Sequence, residues 1–259
     1  MKYQTVTIER RQRVGIITLN RPEVRNALNT QLLTEIRDTL GELEDDPETR
    51  VVIIKGAGKS FCSGHDFSGL QGKNVLELRR IFRRTLRVME NIAAMSKPVI
   101  AAVHGYVSAM GCALAAGCDL VIAADSALFQ LPGINLGVAC ISPAAVVSRS
   151  MSRKKCLELL LTGDPIKASE AEKAGLVNRV VPLEKLDDAA TELAEKLASK
   201  APLALEFGKQ AFYNMLDMEQ SQAYNYAAEM IALNFDTEDG KEGVASFLEK
   251  RKPRPWQGR

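Results

Sequence analysis

Apolar positions recur every second residue at the start of the chain and every third or fourth residue further on. Tyr3-Gln4-Thr5-Val6-Thr7-Ile8 alternates as a strand does. Residues 4–9 and Val14-Gly15-Ile16-Ile17-Thr18-Leu19 predict two strands joined by a tight connection, the second stopped by Arg21-Pro22. Leu28, Leu32, Leu33, Ile36, Leu40 and Leu43 share one helical stripe, and Val51-Val52-Ile53-Ile54 is a buried strand. Leu78, Phe82, Leu86, Met89 and Ile92 predict a helix over residues 75–95. Pro98 opens a strand over 99–103, a small-residue helix begins near Ala109, and Leu120-Val121-Ile122-Ala123 is strand again. From about residue 143 the pattern is almost wholly helical, broken by a short strand at Val177–Val181. The order predicts an α/β fold followed by an α-rich C-terminal segment, with a loosely recurring strand–strand–helix unit.

Val99 to Cys118 is 20 residues without a formal charge, the length of a membrane span. Only five of these residues are Leu, Ile, Val or Phe, nine are Ala or Gly, and His104 lies inside, so a tightly packed strand–turn–helix is expected. The whole chain has 259 residues, 46% of them hydrophobic and 25% charged, which excludes disorder and collagen-like repeats. Lys+Arg number 34 and Asp+Glu 32, so a net charge of +2 offers no general field for nucleic acid or an anionic membrane. Aromatics at 5% are too few for base-stacking platforms. The cysteines (Cys62, Cys112, Cys118, Cys140, Cys156) are odd in number and lack C-x-x-C spacing, and the only histidines are His65 and His104. Neither a disulfide framework nor a metal site is expected. With no charged-then-apolar leader before the first strand, a reducing, cytoplasmic location is expected.

Two familiar motifs fail on spacing. Gly58-Lys59-Ser60 follows a strand, but the glycine a phosphate loop needs five residues earlier is Ile53. Ser63 and Ser108 lack the neighbours of a nucleophile elbow. Two glycine-marked turns hold more chemistry: Phe61-Cys62-Ser63-Gly64-His65-Asp66 and His104-Gly105-Tyr106-Val107-Ser108-Ala109-Met110-Gly111-Cys112, each between a buried strand and a helix. Turns of this kind leave backbone N–H groups without intrahelical partners. Two such donors converging on one carbonyl would stabilise an enolate or oxyanion.

These turns, with Arg21-Pro22-Glu23-Val24-Arg25-Asn26-Ala27-Leu28, Pro132-Gly133-Ile134-Asn135-Leu136-Gly137, Leu161-Thr162-Gly163, Ala168–Val181 and Glu242–Arg251, resemble the crotonase (enoyl-CoA hydratase/isomerase) superfamily along nearly the whole chain. The Ser-Gly-His-Asp and Pro-Gly-Ile-Asn-Leu-Gly segments are most similar to the enoyl-CoA hydratase domain-containing subgroup, best known as mitochondrial; without a transit leader, a bacterial relative is expected. The resemblance implies a crotonase-like spiral of strand–strand–helix units over residues 1–200 and a helical C-terminal trimerisation region over 201–259, assembled as a homotrimer or dimer of trimers. It implies an acyl-CoA thioester as partner, the coenzyme A moiety of the substrate as the only cofactor chemistry, and no nucleic-acid or membrane partner. It assigns the oxyanion amides to His65 and to Met110, where relatives usually carry glycine. It assigns coenzyme A contacts to Val24, Arg25 and Ala27, to the backbone around Ser63, His65, Asp66 and Phe67, and to the pair Phe247 and Lys250.

The chain departs from that pattern where family hydratases carry two glutamates: the matching positions are Ala113 and Gly133. A third position, at or near Ile141, where some relatives place an aspartate, also lacks an ionisable group. A general acid or base contributes about 10²–10⁴-fold, so hydration by the usual route is doubtful while carbonyl polarisation is retained. The expected function is an enoyl-CoA hydratase/isomerase-type protein with an atypical site, and the alternative is a non-catalytic acyl-CoA-binding protein. Among substitutes, His65 titrates near neutrality, Cys140, Ser108 and Ser142 lie close to the acyl site, and Asp66 reads as a helix cap. Arg79, Arg80, Arg83, Arg84 and Arg87 crowd one helix and read as a solvated or phosphate-facing stripe. RNA binding is not expected, because the first long helix, where some relatives carry a basic comb, is acidic here (Glu35, Asp38, Glu42, Glu44, Asp45).

Overall fold

A computed structural model describes residues 2–259. The opening hairpin is β1 (Val6–Arg11) and β2 (Val14–Leu19), followed by α1 (Thr30–Asp45), β3 (Val51–Gly56) and α2 (Val75–Ala94). β1 begins two residues later than the alternation suggests. The amides of Gln4 and Thr5 donate instead to the Glu35 carboxylate of α1, at 3.1 and 2.7 Å, which holds that segment off the strand ladder. α2 starts at a capping box, Asn74 accepting from the Glu77 amide while Glu77 accepts from the Asn74 amide.

The uncharged segment resolves into β4 (Val99–Val103), β5 (Tyr106–Ser108) and α3 (Met110–Ala116), so the expected single strand is two. Among the described residues no helix is long and apolar enough to cross a membrane. Next come β6 (Leu120–Ala124), β7 (Leu128–Gln130), α4 (Ile141–Val147), α5 (Arg153–Thr162), β8 (Ile166–Lys167), α6 (Ala168–Lys173) and β9 (Arg179–Val181). β9 is shorter than Val177–Val181 because the amides of Leu176 and Val177 fold back onto the Ala171 carbonyl of α6.

The strands form a six-stranded sheet, β1-β2-β3-β4-β6-β9, and a three-stranded sheet, β5-β7-β8. Beyond the β1/β2 hairpin the large sheet is parallel, with Ile53 opposite Ile100 and Ala101 opposite Val121. Both of its faces are covered, which explains uninterrupted runs such as Val51–Ile54. Ile17, Val52, Ile54, Ala101 and Val121 face the main core with α1, α2 and α3. Ile16, Val51, Ile53, Ile100 and Ile122 face α7 (Leu186–Ala198), whose Ala190, Ala194 and Ala198 let it sit close to the sheet. After the opening hairpin the chain steps from the large sheet to the small one before entering a helix, from β4 to β5 before α3 and from β6 to β7 before α4. Between β3 and α2 that second strand is reduced to one parallel bridge, Cys62 to Val107.

The chain ends in α8 (Pro202–Met215), α9 (Gln220–Asp236) and α10 (Glu238–Leu248). α8 is anchored by Lys209, whose side chain is 6% exposed. Its ammonium pairs with Asp119 at 2.8 Å and donates to the carbonyls of Ile92 and Lys97, while Tyr213 donates to the other Asp119 oxygen. Phe212 of α8, Leu216 just past its end, and Tyr224, Ile231 and Phe235 of α9 remain exposed. Removing one partner of a buried ion pair leaves the other uncompensated, so Lys209→Met is expected to destabilise the chain by about 3–5 kcal/mol. Chemical denaturation measures this, and a loss below ~1 kcal/mol would mean the pair is solvated like a surface bridge.

Candidate active site

The first glycine turn is fixed from the side of residues 21–28. Arg25 and Asn26 both adopt left-handed backbone, with φ of 52° and 56°. Asn26 is fully buried, and its amide nitrogen lies 2.9–3.0 Å from the carbonyls of Ala57, Ser60 and Phe61, while its side-chain oxygen accepts from the Arg21 amide at 2.9 Å. Leu28 N donates to Gly64 O at 2.7 Å and Asp66 N to Leu28 O at 3.0 Å, a one-residue parallel bridge. In such a bridge the N–H of the middle residue, His65, points away from Leu28 and toward the second turn.

The second turn is fixed from the small sheet. Ser108 N donates to Cys62 O and Ala109 N to Gln130 O, both at 2.9 Å. Ala109 then turns sharply, with φ +48° and ψ −119°, a region that favours glycine and costs an alanine about 1–3 kcal/mol. The corner swings the Met110 N–H out of the strand ladder, and as the first residue of α3 Met110 has no intrahelical acceptor. Gly64, at φ +101°, lies against this corner: a Cβ there would stand 2.8 Å from Ala109 Cβ and 3.4 Å from Met110 N. Only glycine lets the turns touch this closely. Gly111 repeats the device one residue later, since a Cβ there would overlap the Cys62 carbonyl. Among the described residues, neither His65 N–H nor Met110 N–H has an acceptor within the chain. Two unpaired donors flanking one contact can take a single carbonyl oxygen.

The side chains around them carry little acid–base chemistry. The His65 ring faces α2, its Nε2 3.0 Å from Thr85 Oγ1 and its plane edge-on to Phe82 at 5.2 Å. Burial pushes its pKa down to about 4, so the ring is neutral at physiological pH and unsuited to donate a proton as imidazolium. Ala113 is fully buried on α3. Gly133 is buried, its N–H donating to Cys140 Sγ at 3.2 Å, and a Cβ on it would stand 2.5 Å from the Val138 carbonyl and 2.8 Å from Cys140 Sγ. The site therefore has no room for a side chain at Gly133 in this backbone. Burial raises the Cys140 pKa, which keeps it a thiol. Ser108 is buried and accepts from Gln130 Nε2, while Ile141 is exposed at the start of α4.

The residues matched to coenzyme A binding fall into two groups. Val24, Arg25, Ala27, Ser63, His65, Asp66 and Phe67 form one surface, joined by Ser63 N to Arg25 O at 3.0 Å and by Ser63 Oγ to Val24 O. Val24 and Phe67 are exposed, and the Arg25 guanidinium lies 5.3 Å over the Tyr106 ring, which ties the two turns together across the mouth of the site. Asp66 caps the short turn at Phe67–Gly69 through Ser68 and pairs with Arg21 at 3.0 Å, and Arg21 also donates to Ala27 O. Its carboxyl is held below the usual range, first by the Ser68 hydroxyl and then by Arg21. Phe247 lies in the last turn of α10 and Lys250 two residues past its end, and Phe247 is 81% exposed. Sequence reasoning missed Asn26, Ala109, Thr85 and Phe82. Only Asn26 carries a local signal, since asparagine tolerates left-handed backbone and buried asparagine needs carbonyl partners.

Residues 9–259 match the family model described as enoyl-CoA hydratase/isomerase. The chain is 39% identical over 247 residues to the enoyl-CoA hydratase domain-containing protein 3, mitochondrial, of Rattus norvegicus, covering 94% of this chain and 82% of the relative. It is 37% identical to the short-chain-enoyl-CoA hydratase of Clostridium acetobutylicum over 97% of both chains. The crystal structure of an enoyl-CoA hydratase from Mycobacterium smegmatis superposes with a TM-score of 0.95 at 37% identity, over 97% of this chain and 99% of that one.

The environment of His65 sets a pH dependence. A histidine whose folded pKa lies near 4 and whose unfolded pKa is 6.5 binds its proton more tightly when unfolded. Its contribution is present above pH 6.5 and is lost as pH falls toward 4. Between pH 7 and pH 5 the native chain should lose about 1–2 kcal/mol that His65→Gln does not lose, read by urea denaturation at both values. Equal losses in the two proteins would place the ring in water.

Proposed function

The chain belongs to the enoyl-CoA hydratase/isomerase (crotonase) family, and within it we propose that this protein binds an acyl-CoA thioester and polarises its carbonyl between the His65 and Met110 amides. The supporting observation is the contact of Gly64, the residue before His65, with the Ala109–Met110 corner, together with the lack of an acceptor for either N–H among the described residues. Backbone donors in a rigid turn need no reorganisation when charge develops on the oxygen. Met110 in place of glycine leaves the donor unchanged. The segment from Val24 to Ala27 and the backbone of residues 63–67 would line the coenzyme A path. Phe247 and Lys250 offer a ring for adenine and a cation for phosphate. We further propose a homotrimer or dimer of trimers assembled through the C-terminal helices, which fits the exposed Phe212, Leu216, Tyr224, Ile231 and Phe235.

The reaction that follows polarisation is not the usual addition of water. Ala113 and Gly133 supply no proton carrier, the His65 ring is neutral and turned into α2, and Cys140 stays protonated. Those four observations favour the second reading, an acyl-CoA-binding protein without hydratase chemistry, over a hydratase with a relocated acid. Both readings share the thioester site and differ in turnover.

Two measurements test this. Crotonyl-CoA hydration should fall well below the common enzyme range of roughly 1–10³ s⁻¹, and a kcat inside that range would show that another residue carries the protons. A mass-spectrometric screen of enoyl, β-hydroxyacyl, malonyl and branched thioesters separates an unusual enzyme from a binding protein. In low-salt calorimetry Lys250→Glu should weaken coenzyme A thioester binding by about tenfold through charge reversal beside phosphate. Unchanged affinity would remove the C-terminal pair from the site.

A further inference from the structure

Helix α2 carries Arg79, Arg80, Arg83, Arg84 and Arg87, all exposed. Among the described residues none of the five forms an ion pair; the one bridge on this helix joins Lys73 to Glu77. At 100° per residue they occupy the face opposite Thr85, Val88, Met89 and Ile92, which are buried against the core, and at 1.5 Å per residue the stripe runs about 12 Å. Pairs at i,i+4 (79/83, 80/84 and 83/87) set like charges side by side. Glu77 and Glu90 lie three residues from Arg80 and Arg87 and offset this repulsion only in part, since neither forms an ion pair with the stripe among the described residues. The charge of the stripe is therefore not taken up by ion pairs among the described residues. Nor does it face the thioester site of its own chain, because His65 meets α2 through Phe82 and Thr85 on the inner side.

The chemistry around the stripe selects its partner. Leu76 falls on the same outer face one turn earlier and is exposed, as is its neighbour Val75. α2 contains no lysine. Arginine with exposed apolar side chains and without lysine is the composition of protein–protein contacts. A polyanion held by charge alone would be served equally by lysine, whereas planar guanidinium groups pair bidentately with carboxylates. Nucleic acid would call for aromatic platforms along the stripe, and Phe82 is engaged with His65. We propose that the outer face of α2 docks an acidic helix of another protein, its carboxylates three to four residues apart on the arginines and an apolar residue at its end on Leu76 and Val75.

The proposal is independent of the thioester reading and is tested on the whole chain. The probe is a short fluorescent helical peptide with glutamates at i,i+4 and a terminal leucine, compared with a scrambled peptide of the same composition. Anisotropy should show binding at low salt that weakens at least tenfold by ~0.3 M salt, and the scrambled peptide should bind several-fold more weakly. Arg80→Glu/Arg83→Glu/Arg84→Glu should weaken binding about tenfold or more, with unchanged circular dichroism. Leu76→Ser should weaken it several-fold without altering the salt dependence, which keeps the test decisive if the triple variant does not fold. Equal binding of the scrambled peptide, no effect of either variant, or tighter binding of a single-stranded RNA or of phosphatidylglycerol vesicles at the same salt would overturn the proposal.

Discussion

The contact between Gly64 and the Ala109–Met110 corner is the constraint on which the rest of the site depends. Two turns from successive units meet backbone to backbone, closer than any side chain at position 64 would allow. Holding them there takes structure on both sides: the Asn26 amide grips the first turn at three carbonyls, and the Ser108 and Ala109 amides fasten the second to Cys62 and Gln130. The strained Ala109 backbone is part of that arrangement. Its conformation takes the Met110 N–H out of the strand ladder and leaves it, like the His65 N–H, without an acceptor among the described residues. The layered fold explains why the arrangement is rigid, since the large sheet is buried on both faces and neither turn can move without disturbing a covered strand.

In the proposed reading the site separates carbonyl polarisation from proton transfer. Polarising a thioester carbonyl needs fixed donors, and backbone supplies them whatever the side chain. Moving protons needs ionisable groups, and here the environment removes each candidate by a different route. Ala113 has no functional group, and Gly133 has no space for one beside the Val138 carbonyl and Cys140. Burial keeps the His65 ring neutral and the Cys140 thiol protonated. The loop at Gly133 is packed around a bare backbone, with Cys140 Sγ accepting the Gly133 N–H.

Much of this was legible in the sequence, and what was not has a common cause. The long helices and the central strands followed from apolar periodicity because burial on one or both faces writes that period directly. The family motifs marked both turns. The short strands β5, β7 and β8 carry two or three residues each, too few for any period to show. The strands β9 and β1 both start two residues later than the apolar pattern places them, because tertiary acceptors, Ala171 O and the Glu35 carboxylate, claim amides that a strand would use. The Thr85 and Phe82 contacts that neutralise His65 bring together residues far apart in sequence, and nothing local announces them. Ala109 hides its left-handed backbone for the opposite reason, since alanine is the wrong residue to signal it.

The central claim is that a bound thioester carbonyl is polarised by two backbone amides. Isotope-edited infrared spectroscopy of butyryl-CoA labelled with ¹³C at the carbonyl reads that bond directly in the complex. The account predicts that the carbonyl stretch moves to lower wavenumber on binding to the native chain and stays at its solution value in whatever complex Gly64→Ala still forms. A bound thioester whose stretch is unshifted in the native protein would contradict it.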